Sequence, residues 1–254
     1  MMKISINGSQ LELRKITGSA SLAPLVFLHE GLGSVSQWTQ RGLDWPQALC
    51  AVTGRAAMLY SRRGYGQSEP VPDVRGAGHL GPDYMHREAW EVLLGHSDGA
   101  TIALLHASRY PVTACVAMAP HVLVEDLAIA SIAQARKVFQ ADGPGDQIGR
   151  ASLRARLARH HADVDGAFWQ WNDVWLSPAF RSFDIRAECR AISAPLLLIQ
   201  GLDDEYGTLR QLDEIALAAP QARQLRLAAC GHSPQRDQPD KSLQAIADFL
   251  KELP

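Results

Sequence analysis

The chain has 254 residues, of which 46% are hydrophobic and 20% charged, an ordinary globular composition long enough for one large α/β domain or two small ones. The formal net charge is −2, and the charged residues are scattered along the sequence. Nothing in this balance points to nucleic acid or an anionic membrane as the main partner. We expect a small-molecule substrate instead.

The first half of the chain predicts a hairpin followed by strands that alternate with helices. Strand-like alternation over Lys3–Ile6 and Gln10–Ile16 flanks Asn7-Gly8, a strong hairpin signal. A helix is predicted from about Ser36 to Leu49, and a loop over the Pro- and Gly-rich stretch Pro70–Pro82. Short apolar runs predict buried strands at Leu25–Leu28, Ala56–Tyr60, Val92–Leu94 and Ala114–Met118.

The second half is interrupted by a long helical block. From about Val124 to Ile192 the strand pattern disappears, and it returns at Leu196–Ile199 and Gln224–Leu227. Strands alternating with helices predict an α/β fold with a mostly parallel sheet and helices on both faces. We interpret the block as a helical cap, residues 123–194, inserted over the carboxyl ends of the strands. The core domain would then comprise residues 1–122 and 195–254. Further helices are predicted near Thr208–Ala218 and Pro239–Lys251.

The strongest motif is Gly95-His96-Ser97-Asp98-Gly99, which fits the G-x-S-x-G pattern of a nucleophile elbow. An apolar strand precedes it and a predicted helix follows, which is the context that this turn requires. A serine on such a strained turn needs small neighbours, and the two glycines provide the space. The motif therefore predicts Ser97 as the nucleophile of an acyl-transfer reaction.

A serine hydroxyl is a weak nucleophile and needs an adjacent base. His232 lies between the last predicted strand and the last helix, which brings it to the same edge of the sheet as Ser97. The acid that orients this histidine should follow the strand Leu196–Ile199. Asp203 and Asp204 stand side by side there, and the local pattern admits either.

Together these features resemble the α/β-hydrolase superfamily of serine hydrolases over nearly the whole chain. Further motifs carry the resemblance: Leu28–Ser34 (LHEGLGS) is similar to the H-G-x-x-G oxyanion loop, Arg63–Ser68 (RGYGQS) to the R-G-x-G-x-S turn, and Gly231-His232 to the G-H pair. Gly201–Asp204 (GLDD) resembles the G-x-x-D acid loop, which implies Asp204 rather than Asp203 as the acid. The resemblance also implies that the backbone N–H groups of Gly31 and Asp98 bind the oxyanion, and that no metal or organic cofactor is needed.

Two features depart from the superfamily pattern. Glu30 stands where glycine usually follows the oxyanion-loop histidine, and we expect it to pair with Arg62 or Arg63 because a buried carboxylate needs a partner. The helix before the Ser97 strand is limited to Asp83–Trp90, and a helix of roughly 12 Å barely covers a strand. Either this helix is shortened in the protein or residues are missing from the chain.

Within the superfamily, the elbow and the cap resemble biphenyl-hydrolase-like esterases, including those that cleave amino-acid esters. The implied reaction is cleavage of a small carboxylic ester, or a related acyl bond, through an acyl-enzyme. The Asp98 carboxylate then either binds a cationic group of the substrate or serves only to stabilise the start of its helix. Two alternatives remain: a carbon–carbon bond hydrolase of meta-cleavage type with the same triad, and a ligand-binding sensor with a slow triad.

Aromatic residues of the cap are the candidates for a substrate wall. Trp169, Trp171 and Trp175 are predicted to line the pocket, although large aromatics often serve only as core. His29 and His121 follow predicted strands and either line the site or act as structural hydrogen-bonders.

The cysteines and the termini bear on location. The four cysteines have no metal-ligand spacing and are expected to be reduced thiols. The N-terminus lacks an apolar signal region, and no apolar stretch reaches roughly 18 residues. These patterns favour a cytoplasmic protein and leave its oligomeric state undetermined.

Overall fold

The computed structural model describes residues 2–6, 8–71, 91–142 and 152–253. The strands in these ranges are β1 (Met2–Ile6), β2 (Ser9–Ile16), β3 (Leu25–Leu28), β4 (Thr39–Gln40), β5 (Leu43–Asp44), β6 (Ala57–Tyr60), β7 (Val92–His96), β8 (Ala114–Met118), β9 (Leu196–Gly201) and β10 (Arg223–Leu227). The helices are α1 (Trp45–Thr53), α2 (Asp98–Ala107), α3 (Asp126–Ala141), α4 (Leu153–Leu157), α5 (Val164–Leu176), α6 (Arg186–Cys189), α7 (Arg210–Ala218), α8 (Pro234–Asp237) and α9 (Pro239–Lys251). Short 3₁₀ turns occupy Val35–Trp38 and Pro178–Ser182.

Eight strands form one sheet in the order β1-β2-β6-β3-β7-β8-β9-β10. β1 and β2 pair antiparallel, as do β2 and β6, and all other neighbours in this sheet run parallel. The predicted mostly parallel α/β sheet is therefore confirmed.

The apolar run of β3 explains why it is a central strand. Leu25 and Phe27 belong to the hydrophobic core on one face of the sheet, and Val26 and Leu28 belong to the core on the other. Successive side chains of a strand point to opposite faces, so a strand covered on both sides must be apolar throughout.

The predicted helix over Ser36–Leu49 is wrong. This segment instead contains a 3₁₀ turn, the small β4–β5 hairpin and the start of α1. Arg41 and Gly42 form the tip of the hairpin with φ values of 51° and 80°, which no helix accommodates. Asp44 then caps α1 by accepting a hydrogen bond from the N–H of Gln47.

The helical block lies between β8 and β9, where α3, α4, α5 and α6 follow one another. α3 packs against α5, and a bridge between Leu123 and Asp184 ties the two ends of the block together. The cap boundaries at residues 123 and 194 stay a prediction. The predicted helix Asp83–Trp90, most of the predicted loop Pro70–Pro82 and Asn7 of the hairpin lie outside the described residues.

Within these ranges, none of the helices combines the length and the apolar character that crossing a bilayer requires. All four cysteines are buried free thiols.

Candidate active site

Ser97 occupies a strained turn between β7 and α2. Its φ and ψ angles are 55° and −119°, a combination that is unfavourable for a residue with a side chain by roughly 1–3 kcal/mol. The glycines on either side admit this turn because a Cβ on Gly95 would collide with the backbone of Gly99, and one on Gly99 with the carbonyl of Leu28. The hydroxyl of Ser97 is thereby held at the carboxyl edge of the sheet.

His232 meets Ser97 from the loop that follows β10. Its Nε2 accepts a hydrogen bond from the Ser97 hydroxyl at 2.8 Å, and its Nδ1 donates to Asp204 Oδ1 at 2.8 Å. The loops after β7, β9 and β10 supply these three side chains, since parallel strands bring their carboxyl ends to one edge. His96 holds the loop by donating from Nε2 to the backbone carbonyl of His232 at 2.7 Å.

Asp204 is distinguished from its neighbour by burial and by hydrogen bonds. Its side chain is 1% exposed, whereas Asp203 lies on the surface. Besides His232, Oδ1 accepts from the N–H groups of Tyr206 and Gly207, and Oδ2 accepts from the amide of Gln200 at 3.1 Å. These donors fix the carboxylate that faces the imidazole.

The electrostatics of this pair favour an ionised acid beside a basic imidazole. Burial lowers the pKa of His232, but the hydrogen bond to Asp204 and the nearby carboxylates of Glu30 and Glu205 outweigh it and raise the pKa above the ordinary value for histidine. Burial raises the pKa of Asp204, yet its hydrogen bonds and the imidazole bring it below the ordinary value.

A family model described as "Alpha/beta hydrolase family" matches residues 25–245, which span most of the chain. This chain belongs to the alpha/beta hydrolase family. The predicted superfamily resemblance is therefore confirmed.

The chain is also similar to two known proteins and to a solved structure. RutD, a putative carbamate hydrolase from Pseudomonas savastanoi pv. phaseolicola, is 27% identical over 90% of this chain and 94% of its own length. The polyketide synthase ThaQ from Burkholderia thailandensis is 26% identical over 90% of this chain, which spans only 12% of the synthase. The enol-lactonase of Burkholderia xenovorans LB400 has the same fold, with a TM-score of 0.74 at 20% identity, over 99% of this chain and 100% of that one.

A cavity of about 80 Å³ adjoins the Ser97 hydroxyl of this alpha/beta hydrolase. Gly31, Asp98 and His232 line it from the sheet side, and Ile132, Trp171 and Trp175 line it from α3 and α5. The sequence motifs and the helical block thus meet at one cavity.

Trp169 departs from the expectation for the three tryptophans. It packs against the rings of Phe139 and Phe168 at 5.7 and 5.1 Å and lies under the Arg136 guanidinium. Residues four apart share a helix face, whereas residues two apart do not, so α5 turns Trp171 toward the cavity and Trp169 away from it.

The two expected oxyanion donors both lie at this cavity. Asp98 opens α2, where the first N–H groups have no partner within the helix. A Cβ on Gly31 would collide with the indole of Trp171, so this position requires glycine. Their roles as donors stay a prediction.

The expected pairing of the Glu30 carboxylate with Arg62 or Arg63 is wrong. The carboxylate instead faces His96 Nδ1 at 3.7 Å and lines the cavity beside Ser97. Arg62 binds the backbone carbonyl of Glu30, not its side chain, and Arg63 pairs with Glu69 at 3.2 Å.

Glu30 also belongs to a group of side chains with metal-ligand chemistry. Three side chains form this group, and each offers one nitrogen or oxygen atom that could bind a metal. These atoms of Glu30, His96 and His232 all lie within 4.8 Å of one another. Hydrogen bonds already occupy both imidazoles, because His96 Nδ1 accepts from the amide of Gln235 and His232 Nε2 accepts from Ser97. A metal would have to break both bonds, and we keep the prediction of no metal.

His121 is a site residue that the sequence left open. It follows β8 by three residues, lines the cavity and is 3% exposed, yet its Nδ1 has no hydrogen-bond partner within the described parts of the chain. Burial lowers the pKa of His121 to about 4, so the ring is neutral at physiological pH. In the sequence, only its position after a strand indicated a place in the site. His29 has the same kind of position and does not line this cavity, so the signal is weak.

Proposed function

We propose that this protein is a serine hydrolase that cleaves a small carboxylic ester through an acyl-enzyme. The hydrogen-bonded chain from Ser97 through His232 to Asp204, with 2.8 Å at each step, is the observation that carries the proposal. A nucleophile, a base and an orienting acid in this order are what acyl transfer at a serine requires.

In the acylation step, His232 Nε2 takes the hydroxyl proton as Ser97 Oγ attacks the ester carbonyl. Asp204 keeps the proton on Nδ1 and stabilises the imidazolium that forms. The tetrahedral intermediate collapses when the carbonyl–oxygen bond to the leaving group breaks, and His232 gives its Nε2 proton to the departing alkoxide.

Deacylation repeats the same steps with water. His232 removes a proton from the water that attacks the acyl-enzyme, and the proton then returns to Ser97 as the carboxylic acid leaves. In both steps the N–H groups of Gly31 and Asp98 are the proposed oxyanion donors. One such donor typically contributes about 2.7–4 kcal/mol to the barrier reduction.

The cavity and the relatives support a small acyl substrate. The cavity of about 80 Å³ beside Ser97 is lined by Ile132, Trp171 and Trp175, which suits a compact apolar acyl group. A lactone is a cyclic ester and a carbamate is a related acyl compound, so the names of the enol-lactonase and the putative carbamate hydrolase both point to acyl bonds.

The test is turnover of p-nitrophenyl acetate by the wild type, Ser97→Ala and Ser108→Ala. Ser97 and Ser108 flank the two ends of α2, which makes the second variant a matched control. We expect many turnovers for the wild type and the control, and none for Ser97→Ala. A single stoichiometric burst from the wild type would favour the ligand-binding sensor, and an active Ser97→Ala would refute the proposal.

A further inference from the structure

A buried arginine contacts the loop that carries Gly31. Arg62 is 1% exposed, and its two terminal nitrogens donate to consecutive backbone carbonyls, Nη1 to His29 at 2.7 Å and Nη2 to Glu30 at 3.0 Å. Taking a guanidinium out of water is costly, and neutral carbonyls compensate less than a carboxylate does. The guanidinium also lies over the Tyr65 ring, 4.9 Å from its centroid, but both of its hydrogen bonds within the described residues go to this one short loop.

His29 completes the contact from within the loop. Its Nε2 accepts from the backbone N–H of Arg62 at 3.0 Å, and its Nδ1 donates to the carbonyl of Glu30 at 2.7 Å. Burial and the neighbouring guanidinium hold the pKa of His29 well below its ordinary value, which keeps this neutral tautomer. The N–H of Gly33 is a third donor to the Glu30 carbonyl, at 3.0 Å.

The geometry of the peptide bond determines where the Gly31 N–H points once the Glu30 carbonyl is held. The carbonyl of Glu30 and the N–H of Gly31 belong to one planar trans peptide, so they point in opposite directions. Because three donors hold the carbonyl on the side of Arg62 and His29, the N–H is fixed on the opposite side. Gly31 itself lines the cavity beside Ser97.

We infer that Arg62, with His29, is the positioning residue of the oxyanion hole: it sets the Glu30–Gly31 peptide so that the Gly31 N–H faces the substrate oxyanion. Arg62 acts through this peptide and does not touch the substrate. The inference rests on the proposed serine-hydrolase function and adds a residue that the elbow and triad motifs do not identify.

The experiment compares Arg62→Met, Arg62→Lys and the matched control Arg63→Met with p-nitrophenyl acetate. Loss of an oxyanion donor lowers kcat by about 10²–10³-fold, so a misdirected donor in Arg62→Met should lower kcat by at least about tenfold, up to that ceiling. KM should change little, because the hydrogen bond from the Gly31 N–H to the substrate oxygen becomes strong only in the transition state. The lysine of Arg62→Lys can donate to one of the two carbonyls, so the kcat of this variant should lie between those of Arg62→Met and the wild type. Arg63→Met should keep the wild-type kcat.

A second readout separates positioning from a general loss of structure. A trifluoromethyl ketone forms a tetrahedral oxyanion adduct on serine, whereas the product carboxylate does not. Affinity for the ketone should fall in proportion to kcat/KM in the Arg62 variants, and affinity for the product should stay constant. If Arg62→Met does not fold, Arg62→Lys and His29→Gln carry the same comparison.

The outcomes are separable from those of the proposed function. A folded Arg62→Met with wild-type kcat, beside an inactive Ser97→Ala, would overturn the inference alone. A loss of kcat without a matching loss of ketone affinity would also overturn it. An active Ser97→Ala would instead refute the serine-hydrolase function.

Discussion

The two walls of the cavity are built by different means. On the sheet side, hydrogen bonds from the loops at the strand ends fix Ser97, His232 and Asp204. On the helical side, Trp171 and Ile132 reach the cavity through apolar packing within one hydrophobic core. Hydrogen bonds fix single atoms and packing fixes shape, so we expect the sheet wall to control the chemistry and the helical wall to control the choice of acyl group.

The largest effect should come from the sheet wall. Ser97→Ala and His232→Ala should each lower kcat by about 10⁶-fold, as typical for the nucleophile and base of a triad, with the fold retained. The double variant should be little worse than either single variant, because the two residues act as a unit. Steady-state kinetics on all three variants tests this. Additive losses in the double variant would separate the two residues into independent contributors.

Asp204→Asn should have the next largest effect, about 10⁴-fold in kcat, because an amide would favour the wrong tautomer of His232. Asp203→Asn is the matched control: it is the adjacent residue, lies on the surface, and should keep the wild-type rate. An inactive Asp203→Asn beside an active Asp204→Asn would reverse the assignment.

The sheet wall was also the part that the sequence made predictable. The apolar run of β3 and the G-x-S-x-G turn are local signals, because burial on both faces and a strained serine each demand particular neighbours within a few residues. The choice of Asp204 over Asp203 needed the family motif, since both aspartates follow the same strand. The structure distinguishes them by burial.

Features that depend on distant packing were not predictable. The sequence could not show that α5 turns Trp169 toward Phe139, or that the Glu30 side chain faces His96 and not Arg62 or Arg63. The helix expected over Ser36–Leu49 is wrong because Arg41 and Gly42 turn the chain with positive φ angles. A glycine inside an apparently helical pattern was the available signal.

On the helical wall, Trp171→Phe should change acyl preference. Replacing the indole by a smaller ring enlarges the cavity. One methylene group more or less in an apolar pocket changes the discrimination between two substrates by roughly 10–200-fold. We expect the ratio of kcat/KM for p-nitrophenyl butyrate over acetate to rise by about tenfold. Trp169→Phe on the outer side of α5 is the control and should leave this ratio unchanged. An equal shift in both variants, or loss of stability alone, would assign Trp171 to packing.

Asp98 lies where the two walls meet. The effect that we expect from its substitution is similar to that of Trp171→Phe or smaller. Its carboxylate is fully buried, lines the cavity and accepts a hydrogen bond from the indole of Trp175 at 3.2 Å. If it binds a substrate ammonium, the wild type should prefer an alanine ester over the matching propionate ester, and Asp98→Asn should lower that preference by about tenfold. The asparagine keeps the shape and the acceptor oxygen. Equal rates for both esters on the wild type would leave Asp98 as a residue that stabilises the start of α2.

The smallest expected effect is a shift of the pH profile. Only neutral His232 accepts the Ser97 proton, and its pKa is raised above the ordinary histidine value, so kcat/KM should rise with pH and reach half its maximum at a higher pH than an ordinary histidine would give. The Glu30 carboxylate raises this pKa; Glu30→Gln should therefore move the profile to lower pH and increase activity on its acid side. Glu69→Gln, which removes a carboxylate paired with Arg63, is the control. An unshifted Glu30→Gln profile would show that water screens Glu30 from the imidazole.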